Sequence, residues 1–171
     1  NANTPILPCQ RMNKPVDLLI SGHGLAGAVL AETARRRGLS VHVFDAKKPG
    51  NASTVAAGMV NPLVLRRFVP SWRAEEMLPQ ASAFYKTCDK RYGTRTWHPM
   101  PLVKVFPSSS EAALWARAVD KPESAPFMAK TDPAELAIPG IPAPHGHGTV
   151  PSAAWLDVQQ FLSVQREYLM A

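Results

Sequence analysis

Three glycines and one acid carry the first chemistry in this sequence. Gly22-His23-Gly24-Leu25-Ala26-Gly27 follows the apolar run Val16 to Ser21 without a break. Each glycine has its own task in such a turn. Gly22 lets the chain bend sharply out of a strand, Gly24 leaves room for a pyrophosphate, and Gly27 lets a helix pack on the strand. The helix start at Leu25 and Ala26 offers unpaired N–H groups and the positive dipole end to phosphate. Asp45 closes the next apolar stretch, roughly 20 residues on, where a carboxylate accepts hydrogen bonds from ribose hydroxyls. A bare glycine motif says little. One between a strand and a helix, with an acid ending the following strand, points to a dinucleotide. The competing reading is a turn that serves helix packing alone.

Lys47 and Lys48 follow Ala46, and two lysines there raise the extra phosphate of NADP. Asp45 repels that phosphate, so the lysines are read as loop solvation. His145 and His147, separated by Gly146, bring two metal-ligand types together. Two ligands make no site, and no cysteine or carboxylate stands at motif spacing, so a turn or strand entry is the better reading and no metal is expected. His98 between Trp97 and Pro99 is read as structural, and His23 as pointing outward from the turn. Arg66 and Arg67 are read as a surface or loop-anchoring pair, with an anionic substrate or RNA as the alternatives. Trp72 and Trp115 are read as core.

The elements that must position these groups follow from periodicity. Val16–Ser21 and Val41–Asp45 read as strands of a parallel sheet, nearly continuous in apolar character and so covered on both faces. Ala28 to Arg37 reads as the helix between them. Arg35, Arg36 and Arg37 suit its C-terminal dipole end and Gly38 its stop. Together they form a right-handed βαβ unit. Lys48 to Gly58 reads as a loop entering a helix near Ser53. Trp72 to Tyr92 is the longest helical stretch, with Ser71 as N-cap and Met77, Ala81, Phe84, Tyr85 and Cys88 on its apolar face. Trp97 to Phe106 is extended and broken by Pro99 and Pro101, which suits an edge. Ser110–Val119 reads as a short helix, Ala125–Lys130 as extended, Asp132 to Leu136 as one capped turn, and Trp155 to Met170 as an amphipathic helix.

Ser53-Thr54-Val55-Ala56-Ala57-Gly58-Met59-Val60-Asn61-Pro62 resembles the D-amino-acid oxidase and glycine oxidase superfamily of FAD-dependent oxidoreductases. A Ser-x-x-Ala-Ala-Gly stretch follows the ribose-binding acid in that superfamily and lies along the flavin. Arg66-Arg67-Phe68, Ser71-Trp72-Arg73, Trp97-His98-Pro99, Gly148-Thr149-Val150 and Asp157 extend the resemblance over roughly Val16 to Ala171. The resemblance implies an α/β fold: a Rossmann-like FAD-binding βαβ unit with a parallel sheet, followed by the beginning of a substrate-domain region. It implies cofactor contacts at Gly22, Gly24, Leu25, Ala26, Gly27, Asp45 and Ala46, and flavin-end contacts at Ser53, Ala57 and Gly58. The implied reaction is oxidation of a small-molecule amine or amino acid by hydride transfer to flavin N5. Catalytic residues stay unassigned.

Superfamily members run to about twice this length, so the expectation is a fragment, inactive by itself and weak or empty in flavin binding. Its expected organisation is a leader or tag remnant over 1–14, an FAD-binding part over 15–95, substrate-domain strands and loops over 96–150, and a helix over 151–171 returning to the FAD domain. Two other readings stay open: an NAD(P)-dependent dehydrogenase domain, and a non-catalytic or RNA-associated module.

Composition sets the outer limits. The chain has 171 residues, 46% hydrophobic and 19% charged, which is globular rather than disordered. Its 17 prolines fall mostly in the second half and favour loops and short strands there. No apolar run approaches the roughly 20 residues of a membrane span, and no secretory signal is recognised at the front. Two cysteines, Cys9 and Cys88, make no disulfide framework, so a reducing cytoplasm is the expected location. The net charge of +6 comes with short basic clusters, of which Arg35-Arg36-Arg37 and Lys47-Lys48 lack the interleaved aromatics of a base-stacking surface; a solvated basic face is the expected reading and nucleic acid is not expected.

Overall fold

A computed structural model describes residues 15–46, 50–130 and 140–170. The expected turn at Asp132 to Leu136 and the leader over 1–14 lie outside them. The chain divides into two compact units, Asn1–Asn51 and Ala52–Ala171.

The first unit is the βαβ unit. β1 (Leu18–Ser21) and β2 (Val41–Phe44) pair in parallel, Leu18 opposite Val41 and Ser21 opposite Phe44. α1 (Leu25–Arg36) connects them and buries Ala28, Ala31 and Ala34, small residues that bring helix and sheet close. Arg35 and Arg36 occupy the last turn of α1, Arg37 caps it, and Gly38 turns away at φ +78°. The strands are shorter than expected and not covered on both faces. Ile20 is buried, while Leu19 and Phe44 are more than half exposed. Alternate residues of a strand face opposite sides, so a continuous apolar run does not by itself report what covers the second face.

The second unit holds the longer helices and three small antiparallel sheets. α2 (Ala52–Val55) leads into β3 (Met59–Val60). The hairpin β4 (Leu63–Val64) and β5 (Val69–Pro70) places Arg66 and Arg67 at its exposed turn. α3 (Ala74–Tyr92), β6 (Trp97–Pro99), β7 (Leu102–Val105) and α4 (Ser109–Ala118) follow. A 3₁₀ turn spans Ala125–Phe127, where an extended piece was expected; the bridge of Ala129 to Thr149 comes just after it. β8 (His147–Val150), β9 (Ala154–Leu156) and α5 (Val158–Met170) complete the chain. β9 lies between β3 and β6, so β6 is an edge strand, and β7 pairs with β8. The core gathers Phe68, Phe106, Trp115, Phe127 and Val150. Gly148 faces Lys104 across that pairing, and a Cβ there would sit 2.3 Å from the Trp115 ring.

Four expectations fail here. Ser71 does not cap α3. Its N–H donates to Pro62 O at 2.7 Å as the chain leaves the hairpin, and α3 starts after Arg73, at φ +52°. Trp72 is displaced from the helix with it and is 76% exposed, whereas Trp115 is core as expected. Met77, assigned to the apolar face of α3, is also exposed. Trp155 belongs to strand β9 rather than to the last helix, because Asp157 caps that helix by accepting the Gln160 N–H at 2.9 Å. The other end of α3 is fastened strongly. Gly93 stops it at φ +66°, and the Asp89 carboxylate accepts from Thr96 N, Thr96 Oγ1 and Trp97 N at 2.7–3.0 Å.

Tyr85 on α3 stacks on Trp97 at 5.3 Å and meets Phe161 edge-on. Burial pushes its phenol up to about 12 from 10.0, with Cys88 adding to the effect. A folded-state pKa raised above the unfolded one means stability that is complete below pH 10 and lost as pH rises toward 12. Alkaline unfolding followed by circular dichroism should show a loss of about 2–3 kcal/mol over that window. Tyr85→Phe keeps the stack and should flatten that part of the curve; an unchanged slope would place the ionising group elsewhere.

Candidate cofactor-binding site

In the first unit the glycine turn is built as its spacing demands. Gly22 takes φ +95°, and its N–H donates to Phe44 O at 2.6 Å, tying the bend to the end of β2. A Cβ on Gly27 would lie 2.0 Å from the Gly22 carbonyl oxygen and 3.4 Å from Ile20 Cγ2, so only glycine lets α1 start this close to β1. Gly24 is the N-cap of α1, with extended backbone (φ −81°, ψ −175°). No side chain caps the helix, and its first turn holds no acid. Leu25 is half-buried and Ala26 exposed.

The Asp45 carboxylate turns back to this bend, where Oδ1 accepts from the His23 N–H at 3.3 Å. Acid and glycine turn are therefore neighbours in space, as the spacing required. Ala46 beside it is exposed. His23, expected to point outward, is 4% exposed. A middle position in a tight turn packed between strand and helix has an inward side, which the motif alone does not reveal. At the other end of the strands, Asp17 accepts from Ser40 Oγ and N at 2.6 and 2.8 Å. Those bonds hold its carboxyl below the usual range, the Ser40 side chain contributing most. They lock the strand pairing that puts Gly22 beside Phe44.

In the second unit, Ser53 lies in α2 and is half-buried, while Ala56 and Ala57 are exposed. The stretch is braced from the C-terminal end of the chain. Trp155 Nε1 donates to Ala57 O at 2.9 Å, Leu156 N to Gly58 O at 2.8 Å, and Gln159 Nε2 to Thr54 O at 3.0 Å. Gly58 has φ +74°, and a Cβ there would meet Leu156 O at 2.0 Å. The glycine is thus demanded by the chain's own strand β9. Sequence reasoning assigned Gly58 to the flavin and missed Trp155 as a brace. Asp157 three residues before Gln160, a capping signal, was the clue that the helix begins after Trp155.

The remaining candidates fall away from any cluster. His145 lies in a turn and His147 enters β8. Among the described residues no three His, Cys, Asp or Glu side chains are grouped to hold a metal ion. His98 lies over Trp155 at 4.9 Å between ring centres. The second unit carries a larger and a smaller cavity. The larger, about 600 Å³, is lined by Phe106, Trp115, Val119 and His147 and contains none of the residues assigned to a cofactor. The smaller, about 160 Å³, begins at Val60, just past Gly58.

The family model DAO, FAD dependent oxidoreductase, matches residues 17–171. Among solved structures, the chain is similar to L-amino acid deaminase from Proteus vulgaris (19% identity, TM-score 0.69, covering 92% of this chain and 38% of that one). It is similar also to glycine oxidase from Geobacillus kaustophilus (18%, 0.62, 91% and 44%). Iminodiacetate oxidase from Chelativorans sp. BNC1 is a third (17%, 0.62, 90% and 44%). The chain spans less than half the length of each, and at these identities the likeness is one of fold.

Proposed function

This chain belongs to the DAO family of FAD-dependent oxidoreductases, and on that premise we propose that it forms the dinucleotide-holding front of an enzyme that oxidises a small amine or amino acid. The observation that carries the proposal is the Asp45 carboxylate turned onto the glycine bend at His23 N. The residues present fit an adenosine diphosphate: an uncapped helix start for the pyrophosphate, glycines at Gly22, Gly24 and Gly27, and an acid in reach of the attached sugar. When bound, FAD supplies at its N5 the hydride acceptor for a substrate C–H bond next to nitrogen.

The chain's own residues bind and orient. The amides of Gly24, Leu25 and Ala26 would hold the phosphates, and Asp45 with Ala46 would hold the ribose. Ser53, Ala57 and Gly58 are assigned to the flavin end, where the bonds from Trp155 and Leu156 keep the Ala57–Gly58 backbone rigid. The deaminase and the two oxidases support an amine or amino acid as the substrate class. The FAD-dependence of the family removes the support for the nicotinamide reading. Among the described residues no helix is long and apolar enough to cross a membrane.

Titration of the chain with ADP and with FAD by calorimetry tests the proposal. Asp45→Ala removes hydrogen bonds to a charged acceptor, each about 1.5–3 kcal/mol, so affinity for both ligands should fall at least tenfold. Asp45→Ala binding ADP as tightly as the parent would refute the assignment.

A further inference from the structure

We propose that the small cavity behind Val60 receives the apolar substituent of the substrate, with Trp72 as the residue that selects it. The inference rests on the flavin-end assignment of Ala57 and Gly58 made above. The cavity is lined mainly by apolar residues, Val60, Pro62, Trp72, Met77, Leu78 and Ala81 among them, with Asn61 and Ser71 as its polar members, and no lining residue carries a charge. Its volume of about 160 Å³ equals roughly five waters. That suits one hydrophobic group and is too small for a whole ligand, which takes some 300 Å³ or more.

Position links the cavity to the chemistry. Val60 is two residues past Gly58, so at most about 7 Å of extended chain separates them. A reacting C–H must come within about 3.5 Å of its acceptor. A substrate held by its nitrogen-bearing carbon beside the Ala57–Gly58 backbone therefore has its substituent within reach of Val60. The same backbone is held still by Trp155 and Leu156, so this distance does not drift.

Trp72 is built as a wall. Trp72 is 76% exposed, so its side chain is open to a ligand at the mouth of the cavity. It is held in place from its neighbour: the Arg73 guanidinium lies 5.2 Å from the ring centre, and Glu76 accepts from Arg73 Nε at 3.0 Å. Arg73 itself takes φ +52°, a conformation rare outside glycine that persists where surroundings impose it. Met77, on the first turns of α3, is the second exposed apolar residue on the same lining. The substrate class is thus an amine or amino acid with a branched or aromatic substituent rather than glycine.

The four tryptophans give four indole N–H resonances, assigned by substitution in the ¹⁵N-labelled chain. L-phenylalanine, benzylamine and glycine are titrated with and without saturating FAD. The Trp72 resonance should move saturably with phenylalanine and benzylamine, at least tenfold more weakly with glycine. Ala81→Leu, which fills the cavity without touching Trp72's own chemistry, should abolish the response. FAD shifts without a Trp72 response to either apolar probe would overturn the inference and leave the flavin reading standing. Absence of any FAD-induced shift would overturn the flavin reading, and the cavity is then judged by the FAD-free arm. A Trp72 shift that follows protein concentration alone would mark self-association and also overturn it.

Discussion

Gly27→Ala should unfold the βαβ unit and abolish nucleotide binding with it. The added methyl would lie 2.0 Å from the Gly22 carbonyl oxygen, a backbone atom with nowhere to go. Gly22 is held from the other side by its 2.6 Å bond to Phe44 O and by its left-handed conformation. Relief therefore requires α1 to move off β1, which uncovers Ile20, Ala28 and Ala31, all buried. Overpacking against side chains that can shift costs about 1–3 kcal/mol, and a clash with fixed backbone belongs at or above the top of that range. A unit of this size has little stability in reserve. Hydrogen exchange of the amides in β1, α1 and β2 should rise toward the unfolded rate, while the second unit keeps its protection. Unchanged protection in α1 would show that the turn tolerates a side chain, and the close-packing account would be wrong.

Gly58→Ala should be the most damaging single substitution in the second unit. Two penalties combine. Alanine at φ +74° costs about 1–2 kcal/mol. Its methyl would also lie 2.0 Å from Leu156 O, inside the pairing of β3 with β9. Separation of those strands breaks the Leu156 N–H bond to Gly58 O and carries away the Trp155 bond to Ala57. The thermal midpoint should fall by about 10 °C or more. Gly93→Ala is the matched control. It has φ +66° and nothing within 4 Å of an added Cβ, so it carries the conformational penalty alone. Equal losses in the two variants would mean that the approach of β9 contributes nothing, and that the glycine serves only its own backbone angle.

The glycine motif was legible because its requirements are local. A sharp bend, a close helix and an acid at the next strand end are consequences of a few neighbouring residues, and Asp45 lies on the bend as the spacing implied. The five principal helices and the edge position of β6 were legible for the same reason: periodicity and proline act over short distances. Two of the failures involve a partner supplied by strand or hairpin pairing. Ser71 looked like a cap until its N–H was engaged by Pro62 across the hairpin. Trp155 looked helical until β9 was inserted between β3 and β6. Trp72 reads as core because its helix is expected to begin at Trp72, two residues before it does.

Sequence by itself determined the βαβ unit, the family and the chemical type of the residues proposed to hold the nucleotide. These depend on backbone freedom and charge within some thirty residues. Only the tertiary structure decided that Gly58 answers to strand β9, that Trp155 braces the Ala57 carbonyl, and that Trp72 is left in water beside a cavity. Each of those depends on residues about a hundred positions apart or on the angle at which a hairpin delivers the chain to a helix. Strand pairing brings such residues together through backbone hydrogen bonds that are nearly the same for every side chain, so the sequence carries little trace of who the partner is.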